Sequence, residues 1–394
     1  MLHEFKLFAQ LEEVSFYDGD CSEKGSVAYE PFQQCLYGIL KILPKEVLKK
    51  YAPVLARIIP DLKDKGWVPA EPLSPVMEKM RMSETVTACL EEVSGKTPFI
   101  MKFEDFHWAD ASSLELLNNC IRKLKDKPIA FVVSYRDDEV DLSNALFRTV
   151  EEDISELMKL YPLEKSDTEL LIKNMFQRIE LSDEFKDKVY EVTGGNPFFV
   201  TETMRVLIED EKLQFENNSW VLPYDVKDIS FPDSIESTIS RRLTRISPET
   251  LKFAEYAAIV GNEVPISLFK LLGGLSDEEI FKELDVLVEH QFLVEGKEMF
   301  EFPHDRVRET IYGNIPADKR QSLHEKLGEL IENEFKSNIM DVANDLAYHF
   351  SNSRNIDKAV RYLYMAAMKE LQNAAFIECS NLLLKIQEVM KENQ

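Results

Sequence analysis

Glycine is scarce, at 13 residues in 394. Little is left for the glycine-rich loops whose backbone N–H groups wrap phosphates. The pattern G-x-x-x-x-G-K-[ST] does not occur. Gly95-Lys96-Thr97 is a decoy, because Leu90 holds the earlier glycine position and the tripeptide precedes a strand-like run rather than a helix. The five cysteines are scattered, with no Cys-x-x-Cys pair, which excludes a disulfide framework and a structural zinc site. The six histidines are dispersed, with no His-x-x-x-His pair, and no Gly-x-Ser-x-Gly elbow exists. A metal hydrolase or a serine hydrolase therefore finds no support. No run reaches the roughly 18 apolar residues of a membrane span. Met1–Lys6 has no signal-peptide pattern. Positive charge is also short: 47 Lys and Arg face 71 Asp and Glu, a net charge of −24. That balance disfavours nucleic-acid binding through a bulk field. A reducing, cytoplasmic setting with no membrane contact is the expectation.

Hydrophobic residues make up 44%, enough for ordinary packed cores. The length corresponds to roughly two to four domains. The pattern predicts an α/β region followed by mostly α structure. Val14–Tyr17 reads as a short strand and Asp18–Gly25 as a turn. Helices are predicted over 32–43, 47–59 and 80–92, with a proline-rich irregular stretch over 60–78. Pro98–Phe103 reads as a strand ending in Glu104-Asp105, and Ser112-x-x-Glu115 as a capping box opening a helix to Leu124. Pro128–Tyr135 has the continuous apolar run of a parallel strand buried on both faces. From Ser166 the chain turns helical, with Ser166-x-x-Glu169 as a second capping box and Gly194-Gly195-Asn196-Pro197 as a helix stop. Residues 213–230 read as a hairpin or loop. Residues 231–312 read as three helices followed by a small β-wing around Glu295-Gly296-Lys297, a winged-helix pattern. In the tail, Val342, Leu346 and Phe350, then Ala359, Leu363 and Ala366, then Ala375, Cys379, Leu382, Ile386 and Met390 form helical stripes. These fit the opening of a helical solenoid.

Glu104 and Asp105 stand where ligands gather in open α/β sheets, beyond the carboxyl end of a strand. Two carboxylates there suit a hydrated magnesium ion or the activation of a water. An exposed Glu-Asp turn is the plain alternative. Lys102 interrupts the apolar run of that strand.

Phe103–Leu114, with Glu104-Asp105-Phe106-His107-Trp108-Ala109-Asp110, resembles the Walker B segment of the signal-transduction ATPases with numerous domains (STAND ATPases). The branch attached to bacterial cyclases, serine/threonine kinases and LuxR-type regulators is especially similar. Further resemblances follow in order. Val132–Arg136 is similar to the family's sensor strand, Tyr161-Pro162-Leu163 to the start of its helical lid, and Thr193–Val200 to its Gly-x-Pro motif. Phe231–Ile235 with Arg241-Arg242-Leu243, and Phe302–Arg308 with Ile311-Tyr312, resemble its winged helix and histidine motif. Leu346–Phe350 resembles the first solenoid helix.

The resemblance implies four segments: a partial P-loop core over 1–165, a helical lid over 166–230, a winged helix over 231–312 and the start of TPR-like repeats over 313–394. It implies ATP or ADP with Mg2+ as cofactors. Glu104 and Asp105 would share magnesium coordination and water activation. Arg136 would sense the γ-phosphate, with a surface ion pair to Asp137 or Asp138 as its alternative. Pro197 would face the adenine, against a plain helix cap, and His304 the β-phosphate, against a structural role. His107 and Trp108 would pack and orient. In the family's order the chain starts just after the phosphate loop, so the first strand, that loop and the magnesium-binding hydroxyl lie outside it. A fragment, a degenerate member and one half of a split ATPase all fit.

The resulting expectation is an ATP/ADP-dependent regulatory switch module, whose partners are a protein effector domain or the missing ATPase segment, with oligomerisation open. The alternative is a non-catalytic interaction scaffold with relic ATPase motifs. A winged-helix transcription regulator fits poorly, because residues 229–312 carry nine Lys and Arg against sixteen Asp and Glu, a net of −7. Whether the chain is itself an enzyme stays open, but alone it is expected to bind ATP weakly or not at all. Calorimetric titration with ATP and magnesium checks this, and micromolar affinity would contradict it.

Overall fold

The computed structural model describes the chain except for residues 23–26, 137–148, 150, 151, 153, 177–180, 217, 272–274, 297–298 and 392–394. The chain forms two compact units, Met1–Leu157 with His324–Gln394, and Met158–Leu323. The tail that the sequence sets apart from residue 313 thus divides, and its larger part belongs with the α/β region.

In the first unit, α1 (Leu2–Leu11) precedes β1 (Ser15–Asp20), α2 (Glu30–Ile42), α3 (Lys45–Leu55), α4 (Pro60–Asp64) and α5 (Pro75–Ser94). Then come β2 (Phe99–Glu104), α6 (Ala111–Leu124) and β3 (Ile129–Val133). The three strands form a parallel sheet in the order β1-β2-β3. One face buries Phe99, Met101 and Phe103 against α2, α5 and α6. Gly19 is required there, because a Cβ would stand 2.3 Å from the Pro31 carbonyl oxygen.

Several expectations change. The stretch 60–78, read as irregular, holds α4 and the start of α5, and four helices, not three, precede the wing in 231–312. The strand β1 runs on through Asp18-Gly19-Asp20, which reads locally as a turn, because Asp18 pairs with Lys102 and Asp20 with Glu104. The cap of α6 is Asp110, which accepts from the Ser113 N–H, and not Ser112. The helix α7 (Lys165–Met175) begins after Glu164 with no side-chain cap, so Ser166 closes no capping box. The strand β3 is not buried on both faces: Ala130 is exposed, and among the described residues β2 is its only strand partner.

The second unit continues with α8 (Asp183–Thr193), α9 (Pro197–Glu209) and an antiparallel pair, β4 (Gln214–Glu216) and β5 (Ser219–Val221). Then follow α10 (Ile235–Leu243), α11 (Pro248–Val260), β6 (Glu263–Pro265), α12 (Ile266–Leu271) and α13 (Asp277–Glu289). The strands β7 (Val294–Glu295) and β8 (Met299–Glu301) pair antiparallel, and β6 joins them in the order β6-β8-β7. The wing has this third strand, and Lys297 at its tip lies outside the described residues. The helix α14 (Asp305–Asn314) follows, and the division between units falls within α15 (Ala317–Glu334).

The last helices are α16 (Ala343–Ser351), α17 (Ile356–Gln372) and α18 (Phe376–Lys391). Leu346, Phe350, Ala359, Leu363 and Ala366 are buried as their stripes imply. Of the last stripe only Ala375, just before α18, and Cys379 are buried, while Met390 is exposed. Ala375 packs in the same core as Phe103 and Leu117. No helix among the described residues is long and apolar enough to cross a membrane.

The second unit is organised around a buried cation. Arg242 is fully buried, pairs with Glu202 and Glu209, donates to the His290 carbonyl and lies 4.6 Å from the Phe292 ring centre. Arg241 and Arg245 both pair with Asp210. The three arginines of α10 and its end are thus used within the unit. Arg242→Met takes the cation from Glu209 and leaves Glu202 with Arg205 alone. It is expected to cost about 3–5 kcal/mol, read as a lowered denaturation midpoint for this unit.

Candidate functional site

The sheet brings charged groups together on the face opposite α2. Along a strand alternate residues share a face, so Asp18 and Asp20 of β1 meet Lys102 and Glu104 of β2. The Lys102 ammonium lies 3.0 Å from Asp18 Oδ1, 3.1 Å from Glu104 Oε2 and 3.9 Å from Asp20 Oδ1. Lys6 of α1 also pairs with Asp18. Burial opposes the Lys102 charge, yet its carboxylate neighbours raise its pKa above the ordinary lysine value. Burial likewise opposes the charge of Asp18, and Lys6 and Lys102 hold its carboxyl below the usual range.

Beyond Glu104 the chain turns sharply. Asp105 has φ of 50°, a left-handed conformation rare for residues other than glycine. The end of β3 holds this turn: Phe106 N–H donates to the Ser134 carbonyl at 2.9 Å, and Asp105 N–H points to Ser134 Oγ at 3.4 Å. The Asp105 carboxylate is 4.0 Å from His107 Nδ1, and the His107 ring lies 4.5 Å from that of Trp108. The Arg136 guanidinium is placed over Trp108 at 5.7 Å. Glu104, Asp105 and Arg136 therefore occupy one corner of the first unit. The alternative partners of Arg136, Asp137 and Asp138, lie outside the described residues.

These residues do not fit a magnesium ion at Glu104. Mg2+ approaches carboxylate oxygens to about 2.1 Å, and the lysine ammonium already stands beside this one. A divalent ion on this carboxylate would stand beside a positive charge that already occupies the meeting point of the three carboxylates. Among the described residues no group of three or more His, Cys, Asp or Glu side chains is placed to hold a metal.

Pro197 and His304 lie in the second unit. Gly194 (φ 57°) ends α8, and Gly195 (φ 75°) follows. A Cβ on Gly195 would stand 2.1 Å from the Leu163 carbonyl oxygen, and Leu163 N–H donates to the Gly195 carbonyl at 2.9 Å. The Tyr161-Pro162-Leu163 segment and the glycine pair thus meet. Asn196 caps α9 and Pro197 is its exposed first residue, a position that suits proline. The ring of Phe198, next in sequence, stacks on His304 with centres 4.0 Å apart and planes at 17°. His304 Nδ1 accepts from the Arg306 N–H at 3.1 Å. In the neutral ring this acceptor role assigns the proton to Nε2. The Gly-x-Pro turn and the histidine motif are therefore brought together.

A second buried cluster in the first unit joins a local helix cap to distant partners. Asp110 accepts from Tyr29 N–H at 3.1 Å and Ser113 N–H at 2.8 Å. Glu378 of α18 is buried and accepts from Ser112 N–H at 3.0 Å and Ser112 Oγ at 2.8 Å. The first turn of α6 thus receives two carboxylates, which its dipole favours. Ser112 and Glu378 are 266 positions apart, beyond any motif.

No family model matches the sequence. An uncharacterized protein of Rhizobium meliloti (strain 1021) is 25% identical over 309 residues, covering 75% of this chain and 28% of the relative. The chain therefore spans less than a third of that relative's length. The structure of a STAND protein with a tetratricopeptide repeat sensor from Pyrococcus horikoshii aligns with a TM-score of 0.53 at 13% identity, over 96% of this chain and 53% of that one. A Walker-type ATPase of Pyrococcus abyssi aligns with a TM-score of only 0.31, at 15% identity over 77% of this chain and 86% of that one, too low to bear on the fold. The fold is thus similar to that of a STAND ATPase: a small parallel sheet with mostly helical surroundings.

Asp110 gives a pH dependence. Burial pushes its carboxyl up to about 7, the Glu378 charge adds to this, and the hydrogen bonds from Ser113 and Tyr29 oppose it. The folded state thus binds this proton more tightly than the unfolded chain. The contribution to stability is present below about pH 4 and is lost as pH rises toward 7. The slope from this one group approaches about 1.4 kcal/mol per pH unit. In urea denaturation at pH 5 and 8, Asp110→Asn is expected to lose less stability between the two than the parent chain.

Proposed function

We propose that the chain is the regulatory core of a STAND-type signalling protein, a module whose state follows bound ATP or ADP. The observation that carries this reading is the pairing of the Pro197 turn with His304 through the Phe198 stack. In this reading Pro197 meets the adenine face. His304 donates from Nε2 to the β-phosphate and so ties the 231–312 segment, read as a winged helix, to the nucleotide. For Arg136, in the first unit, the family resemblance implies a γ-phosphate contact, which its planar fork suits. The element with two states is the 231–312 segment, and the reader of those states is a protein effector. The fold likeness to a STAND ATPase supports the class of protein. The chain's short span of its relatives makes effector and signal matters for the longer protein.

A second reading, a non-catalytic scaffold that keeps the fold of an ATPase, is favoured by one observation: the lysine ammonium on Glu104. Calorimetry with ADP in the absence of metal separates the two. The switch reading expects saturable binding weaker than micromolar, reduced at least about tenfold by His304→Ala, the loss of one charge-assisted hydrogen bond of about 1.5–3 kcal/mol. No heat and no change in proteolytic pattern at millimolar ADP or ATP would leave the scaffold.

A further inference from the structure

We infer that Lys102 is the resident cation of the Asp18–Asp20–Glu104 cluster, so that Glu104 holds no divalent metal in this chain. Three carboxylates on adjacent strands converge on one point, and the ammonium stands at that point, within 3.0–3.9 Å of an oxygen from each. The residue as a whole is only 9% exposed. A buried lysine among apolar neighbours alone loses its proton, but this one is held charged by its neighbours. The strand register fixes the arrangement, because Lys102 is the direct partner of Asp18 and Glu104 the direct partner of Asp20. Gly19, between the two aspartates, cannot move away from α2 without opening the contact at Pro31.

A lysine is a cation that cannot exchange. The cluster therefore keeps a cation at its centre at all metal concentrations, and Lys6 on Asp18 adds a second. A carboxylate engaged in this way neither ligates Mg2+ nor takes a proton from water. Any nucleotide that this fold accepts is accepted without a metal at Glu104. The arrangement concerns β1 and β2 alone, so it holds whether or not His304 meets a nucleotide.

The probe is Mn2+ alone, with no nucleotide, followed by electron paramagnetic resonance on the full chain. The parent chain is expected to show no site that Glu104→Gln removes. In Lys102→Met, Asp20 and Glu104 lose their cation while Asp18 keeps Lys6. With the ammonium gone the carboxylates are free to close in, and a new Mn2+ site with sub-millimolar affinity is expected, one that Glu104→Gln added to it weakens at least about tenfold. Lys102→Arg keeps the charge and is expected to gain no site. If Lys102→Met is unfolded without metal, its thermal melt with and without Mn2+ serves: a melt raised or restored by Mn2+ supports the inference, and one unmoved by Mn2+ overturns it. A parent-chain site lost in Glu104→Gln also overturns it, as does a folded Lys102→Met that gains no site.

Discussion

The ammonium of Lys102 sits in a parallel strand pair whose register leaves it no other surroundings. Asp18 lies across from it, Asp20 lies across from Glu104, and all four side chains share one sheet face. The other face is committed to the core through Phe99, Met101 and Phe103. A one-residue slip would send every side chain to the opposite face, driving charges into that core. The charge cluster and the core thus specify the same register. The turn at Asp105, the Ser134 contacts that hold it and the placing of Arg136 over Trp108 all hang from the ends of β2 and β3 in this register.

The same economy of charge runs through both units. Arg242 is neutralised by Glu202 and Glu209, and Arg241 and Arg245 by Asp210. Cations that a chain of net charge −24 can ill spare are spent inside the protein. This explains why the 231–312 segment, whatever its likeness to a winged helix, offers nucleic acid little. The acids in excess have structural work as well. Asp110 and Glu378 supply acceptors to the first turn of α6, and Glu378 does so from the far end of the chain. Through that contact the last helix joins the α/β core instead of extending a free solenoid.

Much of the fold was legible in the sequence. The apolar runs of β2 and β3, the helix between them, the glycine-proline stop before α9 and the buried stripes of α16 and α17 were all local signals. What escaped was decided by distant partners. Asp18-Gly19-Asp20 has the composition of a turn, and only its pairing with β2 makes it strand. Asp110 and Ser112 are equally good caps in sequence, and Tyr29 favours Asp110 by donating to it. Of the site, Pro197 and His304 are named separately by motif, and no sequence signal gives the Phe198 ring that stacks on His304. The surroundings of Glu104 are not legible locally either: only the pairing of Asp18-Gly19-Asp20 with β2 sets two aspartates beside Lys102 and makes that lysine a counter-ion.

The most direct measurement is a crystal structure of the chain grown with manganese, with anomalous scattering collected at the metal's absorption edge. The account expects Lys102 Nζ within hydrogen-bond distance of both Asp18 and Glu104, and no anomalous peak on Glu104. A manganese peak within coordination distance of Glu104, with the lysine swung out of the cluster, would contradict it.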